Sequence, residues 1–526
     1  MKNNKILLCI KNNFWTCLLL LIFIVQFLLI ALCNIKLIDN NIDCDTAKLF
    51  VHIMKMAEHS SIIIPNWYYS TTFEIDCSSL LALPIYMLTN DIYMSFGIAN
   101  IIFLAGLISI IFFLFKDKNI MYPLLTANLF CIPYTIGMLD YFNMLFFGGA
   151  QYIIKGALPL LFIALILWCE SAQNQKRKLY SFIPLVIFEF LVLINAFSSG
   201  IYVLFVGFFP ILVSYALYKI LKCEKPAKLS YILIGLTLVL SIVGIILNKI
   251  YMDGGRGAGM TLISFYQIIA NTFGCFAGIF ELFGGISHDL NVDVAVLSLE
   301  GIGILLKALL VHTFIVCGII AFIKILRKKA DLRLVLLLSV FIWNMFVLLA
   351  TKTQAGSPTY EYRYHIIGML PLICVSVIIL LNYWNELKIF QKRIFAATAI
   401  LVLVCINVLS FPKALDRTDK QAELKVLCAY CDQLDVDYVY LYDASNDADM
   451  CRLITQDDAH YLFVGSGGTT WAYDYYETYV GGPVYSENAI LVVDNRYNFG
   501  DTFESFGYKF EKFDTVANRT LYYFSE

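Results

Sequence analysis

The sequence predicts an all-α membrane protein of about eleven transmembrane helices, followed by a small C-terminal α/β domain. Of its 526 residues, 60% are hydrophobic and only 15% are charged, whereas a soluble domain carries more charge. Apolar runs long enough to cross a bilayer recur up to residue 410 and stop after Pro412. The chain is basic up to Ser410, with 29 Lys+Arg against 20 Asp+Glu, and acidic from Phe411 onward, with 9 against 20. These differences place the two regions in different surroundings.

The first apolar run follows a basic N-terminal segment, as a signal peptide would. It is long, and the residues after it offer no small-residue cleavage site, so we interpret it as a retained first span. The predicted spans are Phe14–Leu32, Ile92–Phe115, Ile120–Ile136, Tyr152–Trp168, Tyr180–Ile194, Gly200–Tyr218, Leu229–Leu247, Gly301–Ile323, Leu334–Ala350, Ile366–Leu381 and Ile394–Leu409.

The distribution of Lys and Arg predicts how the protein is oriented. With a cytoplasmic N-terminus, 20 of the 29 basic residues before Phe411 fall in the N-terminal segment and in loops on the same side. Cytoplasmic loops are enriched in Lys and Arg. We therefore expect a multi-pass protein of the cell membrane with an extracytoplasmic C-terminal domain.

Two outer loops, 34–91 and 249–300, are too long to be simple connections. Apolar residues at helical spacing predict surface helices over Thr46–Glu58 and Ser78–Leu88. The segment Leu262–Phe283 is either a further surface helix or a twelfth span. The membrane domain thus covers residues 1–411 and includes both loops.

The tail, residues 412–526, returns to the composition of a soluble domain. Its patterns predict a helix over Lys420–Leu434 and a short helix over Asp501–Phe506. Predicted strands cover Tyr438–Tyr442, Tyr461–Val464, Ala489–Val493, Lys509–Phe513 and Thr520–Phe524, the last two as a pair.

Two carboxylates, Asp43 and Asp45, follow the first span directly. A structural interpretation is helix capping, with Asp45 as the N-cap and Asp43 near the helix dipole. The functional interpretation is a general base or a metal ligand.

Two aromatic segments lie in the outer loops. Trp67 and Tyr68 suit a membrane interface, and they also suit stacking on sugar rings. Arg363, Tyr364 and His365 open a late span, where an aromatic belt with a snorkelling arginine is one interpretation. The other interpretation is a phosphate-binding site, because an arginine guanidinium can donate hydrogen bonds to two phosphate oxygens at once.

Three ionisable residues fall within predicted spans, where charge is costly: Glu189, Lys307 and His312. Lys307 is close enough to the outer end of its span to reach a phosphate there, although a Glu189–Lys307 pair is the structural alternative. Arg256 lies in a glycine-rich turn of the second outer loop, which could bind an anion.

In the order of these features the sequence resembles the GT-C membrane glycosyltransferases, in particular protein mannosyltransferases and aminoarabinose transferases. An acidic motif (Asp43, Asp45) follows the first span, an aromatic stretch and a short apolar helix come next, an Arg-Tyr pair (Arg363, Tyr364) opens a late span, and an α/β tail ends the chain. The Asp-Cys-Asp motif departs from the commoner Asp-Glu pair of that group.

This resemblance implies an enzyme that transfers a sugar, with inversion, from a polyprenyl-phosphate donor to an extracytoplasmic acceptor. Asp45 or Asp43 would be the base, and Arg363, Arg256 and Lys307 would face the donor phosphate. Trp67, Tyr68, Tyr364 and His365 would contact substrate, and a divalent metal ion is a possible cofactor. The expected partners are the lipid-linked sugar, the bilayer and a glycan, lipid or protein acceptor, with no nucleic acid.

Other classes remain open at this point. A transporter or flippase would place its site near the bilayer midplane, where Glu189 and His312 would matter more than Asp45. A non-catalytic cell-envelope assembly protein would need no buried acid, and an oligosaccharide polymerase is a further enzyme class. Convergence of Asp43 or Asp45 with Arg363 on one outer cavity would favour the transferase.

Overall fold

The computed structural model describes residues 13–64, 69, 72–171, 182–252, 261–286, 293–352, 362–456, 461–464, 488–497, 499–505 and 508–525. In these ranges the chain forms a mostly helical body and a small C-terminal sheet, which confirms the predicted fold class. The helices are α1 (Phe14–Lys36), α2 (Cys44–Glu58), α3 (Ser79–Thr89), α4 (Ile92–Leu114), α5 (Met121–Phe130), α6 (Tyr141–Phe146), α7 (Ile153–Glu170), α8 (Ile183–Ser199), α9 (Phe209–Lys222), α10 (Lys228–Tyr251), α11 (Phe265–Leu282), α12 (Leu299–Leu326), α13 (Leu332–Ala350), α14 (Ile366–Glu386), α15 (Ile389–Ala414), α16 (Ala422–Cys431) and α17 (Ser445–Thr455).

Nine of the helices in the described ranges are long and apolar enough to cross a membrane. They are α1, α4, α7, α9 with the π-helical turn before it (Leu204–Phe208), α10, α12, α13, α14 with the 3₁₀ turn before it (Tyr362–His365), and α15. The protein is therefore a multi-pass membrane protein, as its composition predicts.

Two predicted spans are shorter than expected. Helix α8 has 17 residues, and α5 has 10 and ends at Phe130 rather than extending to Ile136. Pro133 explains the early end of α5, since the residue before a proline disfavours the helical conformation and proline itself donates no hydrogen bond. The backbone after α5 is irregular up to α6, and this irregular segment forms part of the site described below.

The centre of the bundle is formed by α14 and α7. In the most apolar stretch of α14, 89% of residues are buried inside the protein, and in α7 78% are, against 22% in α1 and 28% in α15. A helix that is apolar on all sides and also buried by protein is packed by neighbours in every direction. The segments that begin α7 and α14 are thus held rigidly by the bundle.

The long loops contain the expected helices at one end of the bundle, which we call the tail side. Helices α2 and α3 match the predicted surface helices of the first loop, and α11 matches the helix expected over Leu262–Phe283. Helix α11 is not among the nine helices that meet the criteria for a span.

The tail forms a six-stranded sheet of strand order β4-β3-β5-β8-β7-β6, while β1 (Thr261–Leu262) and β2 (Thr351–Lys352) pair in the membrane domain. Strands β3 (Tyr438–Tyr442), β4 (Tyr461–Val464) and β5 (Ala489–Asp494) are parallel, with α17 crossing from β3 to β4. Strands β6 (Thr502–Ser505), β7 (Tyr508–Val516) and β8 (Arg519–Ser525) extend the sheet in antiparallel fashion. The predicted strands are confirmed, but the helix predicted over Asp501–Phe506 was wrong, because Thr502–Ser505 pair with β7 as β6.

The tail is attached to the segment between α1 and α2. The Lys420 N–H donates to the Asn40 carbonyl (3.2 Å), and the Gln421 side chain donates to the Ile42 carbonyl (3.4 Å). In the opposite direction, the Asn41 amide donates to the Asp416 carbonyl (3.2 Å). Helix α17 packs directly on α2. The residues that lead into α2 are thus held between the bundle and the tail.

Candidate active site

Helix α2 begins at the acidic motif. Asp43 is its N-cap, and the side chain accepts a hydrogen bond from the Thr46 N–H (2.8 Å), while Asp45 lies in the first turn. The sequence-based assignment of Asp45 as the cap was therefore wrong. The reason is geometric, since Asp43 has the extended backbone that a capping residue requires (φ −98°, ψ 171°).

The start of α2 packs closely against a glycine turn. Gly148 has φ +58°, and a Cβ atom there would lie 3.1 Å from the Thr46 hydroxyl oxygen. The Gly148 carbonyl accepts from the Asn100 amide (2.9 Å), and Asn100 also donates to the Asn34 side chain (2.7 Å). Because both asparagines are buried, these bonds tie the glycine turn firmly to α1 and α4.

Asp43 faces a cavity of about 230 Å³ between the membrane helices and the start of the tail. The cavity contains one carboxylate and two lysines, and Asp45 is not part of its wall. Its lining residues are Asn41, Ile42, Asp43, Ile136, Gly137, Met138, Phe142, Asn143, Phe147, Lys413, Ala414 and Lys420.

Burial and, to a lesser degree, the negative charge of Asp45 raise the pKa of Asp43 to about 6. Hydrogen bonds from Thr46 and Asn143 act in the opposite direction because they stabilise the ionised form. A carboxylate with a pKa close to neutrality can both accept a proton and release it at physiological pH.

Asp140 is a buried carboxylate that the sequence reasoning missed. It directly precedes α6 and accepts a hydrogen bond from the Tyr362 hydroxyl (2.7 Å). Asn143, one turn further along, contacts Asp43. The segment from Asp140 to Asn143 therefore lies between the Asp43 cavity and the 3₁₀ turn that carries Arg363. Asp140 is the only acidic residue between Asp117 and Glu170, and this isolation was the available signal.

Lys307, on α12, belongs to the same region. Its ammonium donates to the Tyr134 carbonyl (2.5 Å), and Asp140 and Lys413 are close enough to act on its charge. Lys307 therefore lies at the tail side, as expected. It does not contact Glu189, so the alternative Glu189–Lys307 pair is absent among the described residues.

Arg363 lies in the 3₁₀ turn before α14, with its guanidinium carbon 5.4 Å from the centre of the Tyr364 ring. His365 is fully buried, and a Cβ atom on Gly278 of α11 would be 2.9 Å from its Nε2 atom. Helix α11 thus packs over the histidine, and the substrate role of His365 stays a prediction. The expectation that Arg363 and Asp43 or Asp45 meet in one cavity stays a prediction, as do the substrate roles of Arg363 and Tyr364.

Three other predicted site residues, Trp67, Tyr68 and Arg256, lie outside the described residues, so their assignments stay predictions. Among the described residues, no group of three or more His, Cys, Asp or Glu side chains could hold a metal ion.

Glu189 and His312, the two other ionisable residues predicted within spans, make contacts in different parts of the described bundle. The Glu189 carboxylate accepts from the Thr237 hydroxyl (2.9 Å) between α8 and α10. His312 is exposed on α12, with Nδ1 2.8 Å from the Ala308 carbonyl of its own helix. These contacts stay within single helices or single helix pairs, which does not support the transporter alternative.

A larger cavity, of about 630 Å³, lies at the opposite end of the bundle. Several of its acidic and basic side chains are paired with one another, as Lys219 is with Glu170 (2.7 Å) and Glu224 (3.0 Å). We interpret this cavity as an ion-pair network that joins helix ends.

The sequence matches no protein-family model and no curated protein. Its structure is similar to that of ArnT from Cupriavidus metallidurans in the apo state, with a TM-score of 0.57 and 10% identity, over 96% of this chain and 97% of that chain. ArnT bound to undecaprenyl phosphate gives a TM-score of 0.52 with 10% identity and the same coverage. A third similar structure is the archaeal oligosaccharyltransferase AglB from Archaeoglobus fulgidus, in complex with an inhibitory peptide and a dolichol-phosphate. Its TM-score is 0.55 and its identity 9%, over 93% of this chain and 70% of that chain.

The fold is the GT-C fold. The resemblance seen in the sequence is thereby confirmed at the level of architecture. In this chain the irregular segments and the α/β tail lie at one end of the bundle, and that end holds Asp43, Asp140, Lys307 and Arg363.

The glycine turn at the site gives a first prediction. Gly148→Ala should lower the free energy of unfolding by about 1–2 kcal/mol, because an L-residue at φ +58° is strained and the new methyl group presses on Thr46. Thermal unfolding of the detergent-purified protein would measure this. Gly106→Ala, on α4 with no atom within 4 Å of its Cβ position, is the matched control and should be neutral or slightly stabilising. Equal effects of the two changes would contradict the close contact between Gly148 and α2.

Proposed function

We propose that this protein is an integral membrane glycosyltransferase that moves a sugar from a polyprenyl-phosphate carrier to an acceptor on the tail side. The observation that carries this proposal is the position of Asp43 in a GT-C fold. Its carboxylate, with a pKa near 6, faces a cavity between the bundle and the tail. Neighbours of the same fold have been solved with undecaprenyl phosphate and with a dolichol-phosphate.

In the proposed reaction the Asp43 carboxylate takes the proton from an acceptor hydroxyl. The hydroxyl oxygen then forms a bond to the anomeric carbon, while the bond from that carbon to the phosphate oxygen breaks. The electron pair of the broken bond stays on the phosphate, which leaves as polyprenyl phosphate, and attack opposite the leaving group inverts the configuration. General-base assistance of this kind contributes about 10²–10⁴-fold.

Asp43 is the better placed of the two aspartates because it lines the cavity and Asp45 does not. The charge of Asp45 helps to keep the pKa of Asp43 raised, so it supports the base electrostatically. Asn143 orients the Asp43 carboxylate from the other wall of the cavity.

The leaving phosphate gains negative charge as the bond breaks, so cations fixed near it stabilise the transition state most. Arg363 is our first candidate, because a guanidinium fork binds two phosphate oxygens at once. Lys307 lies at the same end of the bundle, and Arg256 joins this proposal from the sequence alone. Asp140 fixes the turn that carries Arg363 through its bond to Tyr362.

The transferase proposal predicts a contrast between asparagine substitutions, measured as transfer from labelled polyprenyl-phosphate sugars in membranes that contain the protein. Asp43→Asn should reduce turnover by about 10²–10⁴-fold. Its thermal unfolding should barely change, because asparagine caps a helix nearly as well as aspartate. Asp45→Asn should cost less activity, since Asp45 acts through its charge.

The pH dependence offers a check on the same residue. Below pH 6 the base is protonated, so turnover should fall about tenfold between pH 7 and pH 5. The raised pKa of Asp43 favours the folded state at pH values below the unfolded pKa, and that contribution is lost as the pH rises through 6. Acidification therefore does not unfold the protein through Asp43.

Full transferase activity in both Asp43→Asn and Asp45→Asn would refute the proposed base.

The proposal also requires the site to face outward. We propose that the N-terminus is cytoplasmic and the tail extracytoplasmic, supported by the 20 basic residues on the N-terminal side of the membrane. A reporter that is active only outside the cytoplasm, fused after Glu526, should be active, and the same reporter fused between α9 and α10 should be silent. The opposite pattern would contradict an extracytoplasmic reaction.

A further inference from the structure

The tail sheet has a topological switch point between β3 and β5, which are parallel neighbours. The chain leaves β3 through α17 toward β4 on one side, and it leaves β5 toward β6 at the far edge of the sheet. In open α/β sheets, ligands bind at the carboxyl ends of two such strands. We call the region formed by Asp443 after β3, residues 494–497 at the end of β5 and Arg519 at the start of β8 the carboxyl end of the sheet.

A group of aromatic side chains lies at the carboxyl end of the sheet. The Tyr497 and Phe499 rings are stacked, with centres 5.9 Å apart and an angle of 15° between their planes. The Tyr442 ring, at the end of β3, meets these two rings edge to face at 5.6 and 5.2 Å. The Tyr497 hydroxyl donates to the Asp443 carboxylate (2.5 Å), which fixes the Tyr497 ring. Both stacked rings are half-buried, so each has an accessible part on which a sugar ring can pack.

Paired carboxylates and guanidiniums surround these rings. Arg496 donates to Asp494 (3.0 Å), and Arg519 donates to Asp447 in the first turn of α17 (2.6 Å). Such pairs present hydrogen-bond donors and acceptors side by side. They suit sugar hydroxyls, because each hydroxyl can donate as well as accept.

The charge balance at the carboxyl end of the sheet does not suit the donor phosphate. Its described residues include more carboxylates than guanidiniums, namely Glu423, Asp443, Asp447 and Asp494 against Arg496 and Arg519. An excess of negative charge repels a phosphate. A neutral ligand rich in hydroxyl groups suits this region better.

The carboxyl end of the sheet adjoins the Asp43 cavity. The Asn518 amide donates to Glu423 in the first turn of α16 (3.2 Å), and Lys420, three residues earlier, lines that cavity. Helix α17 starts at the carboxyl end and packs on α2, and its Asp449 lies within the electrostatic range of the first turn of α2. Along the helix axis, Asp449 is about 6 Å from the first residue of α17. A short oligosaccharide can therefore extend from the carboxyl end of the sheet to Asp43.

We infer that the carboxyl end of the tail sheet binds a glycan, and that this glycan carries the acceptor hydroxyl of the transfer reaction. This inference rests on the proposed function and names the class of its acceptor. One sugar ring of the glycan packs on Tyr497 and Phe499, and its hydroxyls hydrogen-bond with Arg496 and Asp494. A following sugar of the same glycan presents its hydroxyl to Asp43, which takes the proton as the new glycosidic bond forms.

The rival interpretation is that these side chains only stabilise the turn after β5. Arg496→Gln separates the two interpretations, because the Arg496 side chain is 74% exposed and its ion pair contributes little to stability. Its thermal unfolding should therefore match that of the wild type. Tyr497→Ala is the second variant and removes the stacking surface. Lys509→Gln is the matched control, since it removes a cation from the exposed Lys509–Glu511 pair (3.4 Å) at the opposite end of the sheet.

The binding test uses the full-length protein in a detergent without a sugar head group, because a maltoside would compete for the site. The probes are neutral oligosaccharides of glucose, mannose and N-acetylglucosamine, presented on an array. The wild type should bind at least one of these probes. Arg496→Gln and Tyr497→Ala should each weaken that binding about tenfold, as expected for one lost hydrogen bond or ring contact, and Lys509→Gln should bind as the wild type does.

The transfer assay then connects the bound glycan with the reaction. With labelled polyprenyl-phosphate sugar as donor, the oligosaccharide that binds should receive the label. Arg496→Gln should raise the KM for this oligosaccharide about tenfold with little change in kcat, because it removes a contact made before and during the reaction alike.

Failure of the wild type to bind any probe would overturn the inference and leave the proposed function intact, as would equal binding by the wild type, Arg496→Gln and Tyr497→Ala. Transfer of label to a protein or lipid acceptor, with the same KM in the wild type and Arg496→Gln, would also overturn the inference alone. Absence of any transfer from labelled polyprenyl-phosphate sugars would overturn the proposed function, and with it the acceptor role of a glycan that binds.

Discussion

The position of the α2 N-terminus is the constraint on which the rest of the site depends. The hydrogen bond from the Thr46 N–H to Asp43 fixes the first turn, and Gly148 allows the neighbouring chain to approach it closely. The tail closes over the same residues through the Lys420 and Gln421 contacts. Three parts of the chain that are distant in sequence thus set the direction of one carboxylate. A fixed direction is what a general base requires, since a small misplacement loses most of the benefit of proximity.

Charge burial explains how the tail side of the bundle is arranged. Asp43, Asp140 and Asp76 are each withdrawn from water, and each is stabilised in its own way. Asp76 accepts three hydrogen bonds from the end of α8, Asp140 accepts from the Tyr362 hydroxyl, and Asp43 accepts from the Thr46 N–H. Burial raises the pKa of Asp43 to about 6. A carboxylate with such a pKa can accept a proton near neutral pH, which is the property that the proposed base requires.

Hydropathy predicted most of the bundle because a bilayer demands long apolar helices, and alternation predicted the tail strands. Hydropathy failed at α5, where Pro133 ends the helix early. The local sequence pattern failed at Thr502–Ser505, where pairing with β7 overrode the helical preference. The acidic motif was found because it directly follows a span. Asp140 was missed because its meaning depends on Tyr362, a partner far away in sequence. Pairings of this kind are created by the fold and leave little trace in local spacing.

If a lipid-linked donor binds at the tail side, Asp43 can act on it. A cryo-EM structure of the protein with undecaprenyl phosphate would test this binding position. We expect phosphate density within hydrogen-bond distance of the Arg363 guanidinium, in a space that opens onto the Asp43 cavity. Phosphate density in the larger cavity at the opposite end, beside Lys219 and Arg333, would contradict it, as would a bound phosphate separated by protein from both Asp43 and Asp45.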